Sequence, residues 1–166
     1  MKALFVGRFQ PFHIGHLNAL EYVSRVADKI IIAIGSSKEK NTLENPFSYK
    51  ERLEMIKKSL TLDKDKYVIK PVPDFRNNKL WIEYILENFP EFDVVYTSSP
   101  KEKKIFRNAH ITVRSVSLYN RSVYTATDIR RKMSAGEKWE HLVPKGTASV
   151  IKKVKGVKRI EKLVLS

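Results

Sequence analysis

The chain has 166 residues, 42% of them hydrophobic and 30% charged, with a formal net charge of +14 at pH 7. That length suggests one domain with a real core, and the composition is that of a globular chain, not a disordered one. No apolar run nears the ~20 residues of a membrane-spanning helix, the start lacks a signal-peptide pattern, and the absence of cysteine excludes disulfides, thiolate chemistry and cysteine-based zinc sites.

In chain order the pattern is strand then helix, repeated. Residues 2–6 are a short apolar run closed by Gly7; over 15–27, Leu17, Leu20, Val23 and Ala27 recur at helical spacing. Residues 29–34 are β-branched in the way a fully buried parallel strand requires. Ser48-Tyr49-Lys50-Glu51 reads as a capping box, with Leu53, Ile56 and Leu60 as the buried stripe behind it. Strands follow at 67–72, 93–97 and 111–116, and helices at 80–89 (Trp81, Ile85 and Phe89 on one face) and 100–108. Short helices are expected at 127–135, 147–155 and 157–165, with Gly136 and Gly156 where helix C-terminal glycines belong.

This alternation predicts an α/β, Rossmann-like doubly wound parallel sheet of about five strands with a small C-terminal helical segment. With no linker or repeat in view, residues 1–166 read as one domain, the helices from about 127 packing on its core. Ligands of such sheets bind beyond the carboxyl ends of the strands, where the strand order reverses, so motifs at strand ends are the informative ones.

The positive charge admits three partners: nucleic acid, a membrane surface, or small anions. It thickens towards the C-terminus at Lys145, Lys152, Lys153, Lys155, Lys158, Arg159 and Lys162. These alternate with Val150, Ile151, Val154, Val157, Ile160 and Leu163, which is how the solvated face of an amphipathic helix reads. The charge alone therefore does not choose among the three, and neither nucleic acid nor a membrane is the expected partner.

Two motifs carry chemistry. The first, Gly7-Arg8-Phe9-Gln10-Pro11-Phe12-His13-Ile14-Gly15-His16, follows the first strand directly and opens the first helix. Gly7 permits a tight turn, Gly15 lets a ligand approach the helix opening, and a helix N-terminus offers N–H groups and positive potential to a phosphate. His13 and His16 add directional donors and Arg8 a planar cation. Alternatively, one histidine caps the helix and the other is merely exposed. Neither the dinucleotide fingerprint nor a P-loop occurs. With four histidines and no cysteine, the pair lacks an obvious third zinc ligand, and no protein-held metal is expected.

The second motif is Tyr124-Thr125-Ala126-Thr127-Asp128-Ile129-Arg130-Arg131. Thr125 or Thr127 can cap the next helix, and either hydroxyl can also face a phosphate. Arg130 and Arg131 fall in the first turn or so, where a cation opposes the helix dipole unless an anion offsets it. An exposed arginine pair is the plainer alternative.

Together these motifs resemble the signatures of the HxGH nucleotidyltransferase superfamily. The strings GRFQPFHIGH, NTLENPFSYKER, NNKLWIEYI, YTATDIRRKM and GEKWEHLVP resemble, in order along the chain, archaeal-type nicotinamide mononucleotide adenylyltransferases. The resemblance implies an enzyme that joins the adenylyl group of ATP to nicotinamide mononucleotide (NMN), giving NAD and pyrophosphate. Rival readings are another phosphorylated acceptor, such as phosphopantetheine or FMN, and a nucleic-acid-binding module.

The resemblance also implies roles. His13, His16, Arg8 and Arg130 would be catalytic. Gly7, Arg8, Phe9, His13, Gly15, His16, Tyr124, Thr125, Thr127 and Arg130 would bind ATP, and Asn78 and Trp81 would receive the nicotinamide end of NMN. An amide suits the carboxamide and an indole face suits a cationic pyridinium, although Asn77 competes for the first role and Trp81 also fits a core position. Mg²⁺ would arrive with ATP, in a cytoplasmic homo-oligomer, a hexamer. The chain departs from the family pattern at Thr125-Ala126, where Ser-Gly is usual, and at Thr97-Ser98-Ser99-Pro100, where Ser-Gly-Asn-Pro is usual.

Overall fold

The computed structural model describes residues 1–116 and 124–166. The elements run β1 (Lys2–Gly7), α1 (Ile14–Val26), β2 (Lys29–Ile34), α2 (Tyr49–Ser59), β3 (Tyr67–Pro71), α3 (Asn78–Asn88), β4 (Val94–Tyr96), α4 (Pro100–Asn108), β5 (Val113–Arg114), α5 (Ala126–Ser134), α6 (Lys145–Lys153) and α7 (Gly156–Leu165). Short 3₁₀ turns cover Lys64–Lys66 and Glu140–Leu142. The described residues form two compact units: 1–7, 19–37 and 62–116 in one, and 8–18, 38–61 and 124–166 in the other. No helix among them is long and apolar enough to cross a membrane.

The first unit is the sheet. Five strands in the order β3-β2-β1-β4-β5 pair in parallel throughout, the α/β architecture expected from the sequence. β2 is buried from Ile30 to Ile34, which is why it reads as one apolar run without alternation. Leu4, Val6, Ile31, Ala33 and Val95 of the sheet close a core with Ile82, Ile85 and Phe89 from α3 and its end and Ile105 and Phe106 of α4. The strand order reverses between β1 and β4, making the carboxyl end of β1, at Gly7, the switch point. β5 is two residues long where six were expected: it is an edge strand pairing only with β4, and its register joins Val95 to Val113 and Tyr96 to Arg114.

The second unit is helical. α2 opens on the expected capping box: Glu51 N donates to Ser48 Oγ at 3.2 Å and Ser48 N to Glu51 Oε2 at 2.9 Å. Of the expected stripe Ile56 is buried but Leu53 and Leu60 are only half-buried, and Arg52, Met55 and Ser59 complete the buried face. α6 crosses α2 so closely that a Cβ on Gly146 would lie 2.6 Å from the Lys58 carbonyl, and the Ser59 and Thr147 hydroxyls meet at 3.3 Å in the buried seam.

Two expectations for the C-terminal helices fail. Gly136 does follow α5 with φ 71°, but Gly156 opens α7 and Lys155 takes the left-handed backbone at φ 54°. Gly156 is glycine for space, because a Cβ there would lie 2.7 Å from Cε1 of Phe47. Arg159 is not on the solvated face: it donates to both Glu51 oxygens, at 2.7 and 2.9 Å, and to the Pro46 carbonyl.

Candidate active site

The loop between β1 and α1 turns at Phe9, not at Gly7: Phe9 carries φ 55°. Its side chain is 1% exposed and sets its edge against His16, with ring centroids 4.9 Å apart. Any contact from Phe9 to a ligand therefore belongs to its backbone. Phe12 is also buried and stacks on His16 at 5.7 Å.

His13 and His16 cap each other. α1 begins at Ile14, so His13 holds the N-cap position and His16 is the third helical residue. His16 N donates to His13 Nδ1 at 3.3 Å and His13 N donates to His16 Nδ1 at 3.2 Å, a capping box built from imidazoles. The two rings stack with centroids 3.6 Å apart. A ring nitrogen that accepts an N–H carries no hydrogen, so each neutral ring keeps its proton on Nε2 and offers it as a donor. The reading in which only one histidine caps is thus corrected.

Burial pushes His13 down to about 4, and burial followed by the neighbouring His13 charge holds His16 well below the ordinary histidine value. Both are neutral N–H donors at neutral pH. Gly15 between them is required by space: a Cβ there would lie 2.9 Å from Cε1 of His13 and 3.2 Å from Cβ of Tyr124.

The second motif opens α5. Thr125 is the N-cap and accepts from Asp128 N at 3.2 Å, while Thr127 lies exposed in the first turn. Arg130 is the fifth helical residue, beyond the first turn, so the dipole argument does not apply to it. It is half-buried and donates from Nη1 to the Gln10 carbonyl at 2.9 Å. Burial first, then the Arg8 charge, lowers its affinity for a proton, with Glu44 acting in the opposite sense. Two guanidinium groups thus stand close enough to repel. The Arg8 side chain is exposed and makes no hydrogen bond or ion pair among the described residues. Arg131 does not share this role: Asp128 and both Glu137 oxygens occupy it.

Neutral N–H donors, the Arg8 guanidinium, the further N–H groups of Arg130 and the first-turn N–H groups of α5 outside the Thr125 cap bond make a chemistry for binding a polyanion and stabilising charge that develops on it.

In the sheet unit, Asn77 is the N-cap of α3 and its side-chain oxygen accepts from Leu80 N at 2.9 Å. Asn78, the first helical residue, is exposed. Trp81 is half-buried, edge to face with Phe106 at 5.5 Å. At the end of β4, Ser99 caps α4 and the Thr97 hydroxyl donates to Glu102 at 2.5 Å.

Two functional candidates escaped the sequence reading. Gln10 is buried and clamps the Phe47 backbone both ways, Nε2 to O at 2.8 Å and N to Oε1 at 2.9 Å. Arg52 is wholly buried and donates from Nη1 to the Arg8 carbonyl at 2.8 Å. Its signal was present: a charged residue in helical register with buried Met55, Ile56 and Ser59 needs a polar partner.

A family model described as cytidylyltransferase-like matches residues 4–132. The chain belongs to the cytidylyltransferase-like family. Its relatives include nicotinamide-nucleotide adenylyltransferases. That of Archaeoglobus fulgidus is 44% identical over 167 residues, covering 96% of this chain and 95% of the relative. That of Thermococcus kodakarensis is 42% identical, covering 98% and 88%. Among solved structures, a bifunctional NMN adenylyltransferase/ADP ribose pyrophosphatase from Francisella tularensis, complexed with AMP and a manganese ion, superposes with a TM-score of 0.84 at 27% identity. It is matched over 99% of this chain and 52% of its own, so this cytidylyltransferase-like chain spans about half of that bifunctional protein. The chain is an enzyme, a nucleotidyltransferase.

Proposed function

We propose that the chain transfers the adenylyl group of ATP to NMN, giving NAD and pyrophosphate, as a step of NAD biosynthesis. The observation that carries the reading is the mutually capped His13–His16 pair, whose Nε2–H donors adjoin the loop that holds Arg8 and that Arg130 of α5 grips at the Gln10 carbonyl. The relatives named for this reaction, matched over nearly the whole chain, support it.

In this reading the phosphate of NMN attacks the α-phosphorus of ATP in line and pyrophosphate leaves. A phosphate monoester has its second pKa near ~6, so the nucleophile is already ionised and needs no general base. His13 and His16 donate to the phosphoryl oxygens, and Arg8 and Arg130 stabilise the charge passing to the leaving group. Thr127 and the first N–H groups of α5 hold the triphosphate. Gly7, Phe9, Gly15, Tyr124 and Thr125 shape the site through backbone and packing. Asn78 takes the carboxamide, since Asn77 commits its oxygen to the helix cap, and Trp81 presents a ring face to the pyridinium.

Among the described residues no group of three or more His, Asp or Glu is placed to hold a metal. Mg²⁺ would enter with ATP, held by phosphate oxygens and water, and would neutralise the triphosphate charge. The whole chain acts as one catalytic domain, cytoplasmic and homo-oligomeric, with a hexamer as the expected assembly. Sedimentation velocity tests the assembly.

The deciding experiment is pyrophosphate release with Mg²⁺-ATP in parallel wells containing NMN, nicotinic acid mononucleotide, phosphopantetheine, FMN or no acceptor. Release confined to the pyridine mononucleotides, with NAD appearing by mass, is expected. Release with another acceptor alone would overturn the NMN assignment.

A further inference from the structure

The first-described residues of the loop are not the only ones on which its geometry depends. Arg8 and His13 sit in a loop gripped at three points, two of them on its main-chain carbonyls. Arg52 Nη1 donates to the Arg8 carbonyl at 2.8 Å, Arg130 Nη1 donates to the Gln10 carbonyl at 2.9 Å, and the Gln10 side chain clamps the Phe47 backbone. Of these, the Arg52 grip is the one fixed from behind. Arg52 is wholly buried and its Nε donates to the Ser48 carbonyl at 3.2 Å, so its own helix start orients the guanidinium plane. That helix start is held in turn by the Ser48–Glu51 capping box and by Arg159, which donates to both Glu51 oxygens and to the Pro46 carbonyl. The chain of contacts runs from α7, beyond the last residue matched by the family model, to the peptide of Arg8.

We infer that Arg52 is a positioning residue for ATP. By holding the Arg8 carbonyl it fixes the peptide from which the Arg8 guanidinium reaches the triphosphate, and it keeps that carbonyl dipole turned to a cation. A guanidinium suits this task because its planar fork can serve two carbonyls at fixed angles, which an ammonium cannot. The inference rests on the adenylyltransferase reading, since it takes the triphosphate as the ligand of Arg8.

The test uses Arg52→Met and Arg52→Lys in the full chain, with thermal unfolding followed on each. Methionine keeps the volume and apolar stem but leaves the Arg8 and Ser48 carbonyls without this donor, so Arg52→Lys, which keeps the charge, carries the test if Arg52→Met does not fold. Loss of a charge-assisted hydrogen bond predicts a KM for ATP raised about 10- to 100-fold in Arg52→Met, while the KM for NMN stays within about threefold, the resolution of a neighbouring weak effect. Arg52→Lys, which keeps the charge and one donor, recovers part of the loss. If Arg52 acts through Arg8, then Arg8→Ala combined with Arg52→Met binds ATP no worse than Arg8→Ala alone. A folded Arg52→Met with wild-type KM for ATP overturns the inference, as do additive effects in that cycle. Calorimetric ATP binding, which needs no acceptor, reads the same comparison if the wild type makes no NAD, so failure of the NMN reading is told apart from failure of this one.

Discussion

Lowering the pH from 7 to 5 should destabilise this protein by way of His13. The ring is 2% exposed and its Nδ1 accepts the His16 N–H at 3.3 Å, so a proton there breaks a cap bond and places a charge against a ring 3.6 Å away. The folded ring titrates at about 4 and the unfolded ring near ~6.5. The unfolded state therefore binds more protons between those values, so stability is full above about 6.5 and falls as the pH drops towards about 4. Integrating the linkage from pH 7 to pH 5 gives a loss of about 2 kcal/mol, approaching about 3 kcal/mol below the folded pKa. The assay is urea unfolding at both pH values for the wild type and His13→Asn. Asparagine keeps an acceptor for the His16 N–H and has no proton to take up. The wild type should lose about 2 kcal/mol more than the variant. Equal losses, within about 0.5 kcal/mol, would refute the buried-neutral-histidine reasoning.

Arg130→Ala should lower the rate of pyrophosphate release by about 10²–10³, whereas Arg131→Ala, whose side chain is spent on Asp128 and Glu137, should stay within about threefold of wild type; comparable losses in a steady-state assay would reject the distinction. Gly15→Ala forces a Cβ to within 2.9 Å of the His13 ring, and the displaced imidazole should cost about tenfold to a hundredfold in kcat, with folding checked by circular dichroism. Trp81→Phe should keep an aromatic edge against Phe106 and raise the KM for NMN less than Trp81→Ala does, the ATP KM being unchanged in both; a shift in the ATP KM would count against the nicotinamide assignment of Trp81.

Strands β1, β2, β3 and β4 and helices α1 to α4 were legible within a few residues, because buried parallel strands read as apolar runs and amphipathic helices as 3.6-residue periods. β5 was overestimated because its length depends on a partner only three residues long, a property of the neighbour that its own residues do not display. The buried face of α2 was misjudged by one position because Arg52, a charge, occupies the core register; apolar counting has no means of assigning a charged residue to the inside.

The motif around His13 and His16 predicts a phosphate-binding loop by residue type and place alone: donors, a cation and glycines where a strand hands over to a helix. Residue type could not say that the histidines cap each other and so share one tautomer, that Arg131 is occupied while Arg8 is not, or that Gly156 makes room for Phe47 where a helix-ending turn was expected. Some of these are contacts within one turn, such as His13 with His16 and Arg131 with Asp128, and others join groups remote in sequence, such as Gly156 with Phe47, Arg52 with Arg8 and Arg159 with Glu51. Local periodicity records which side of an element is buried. Which buried groups face one another depends on how the elements come together, and only the tertiary structure decides that.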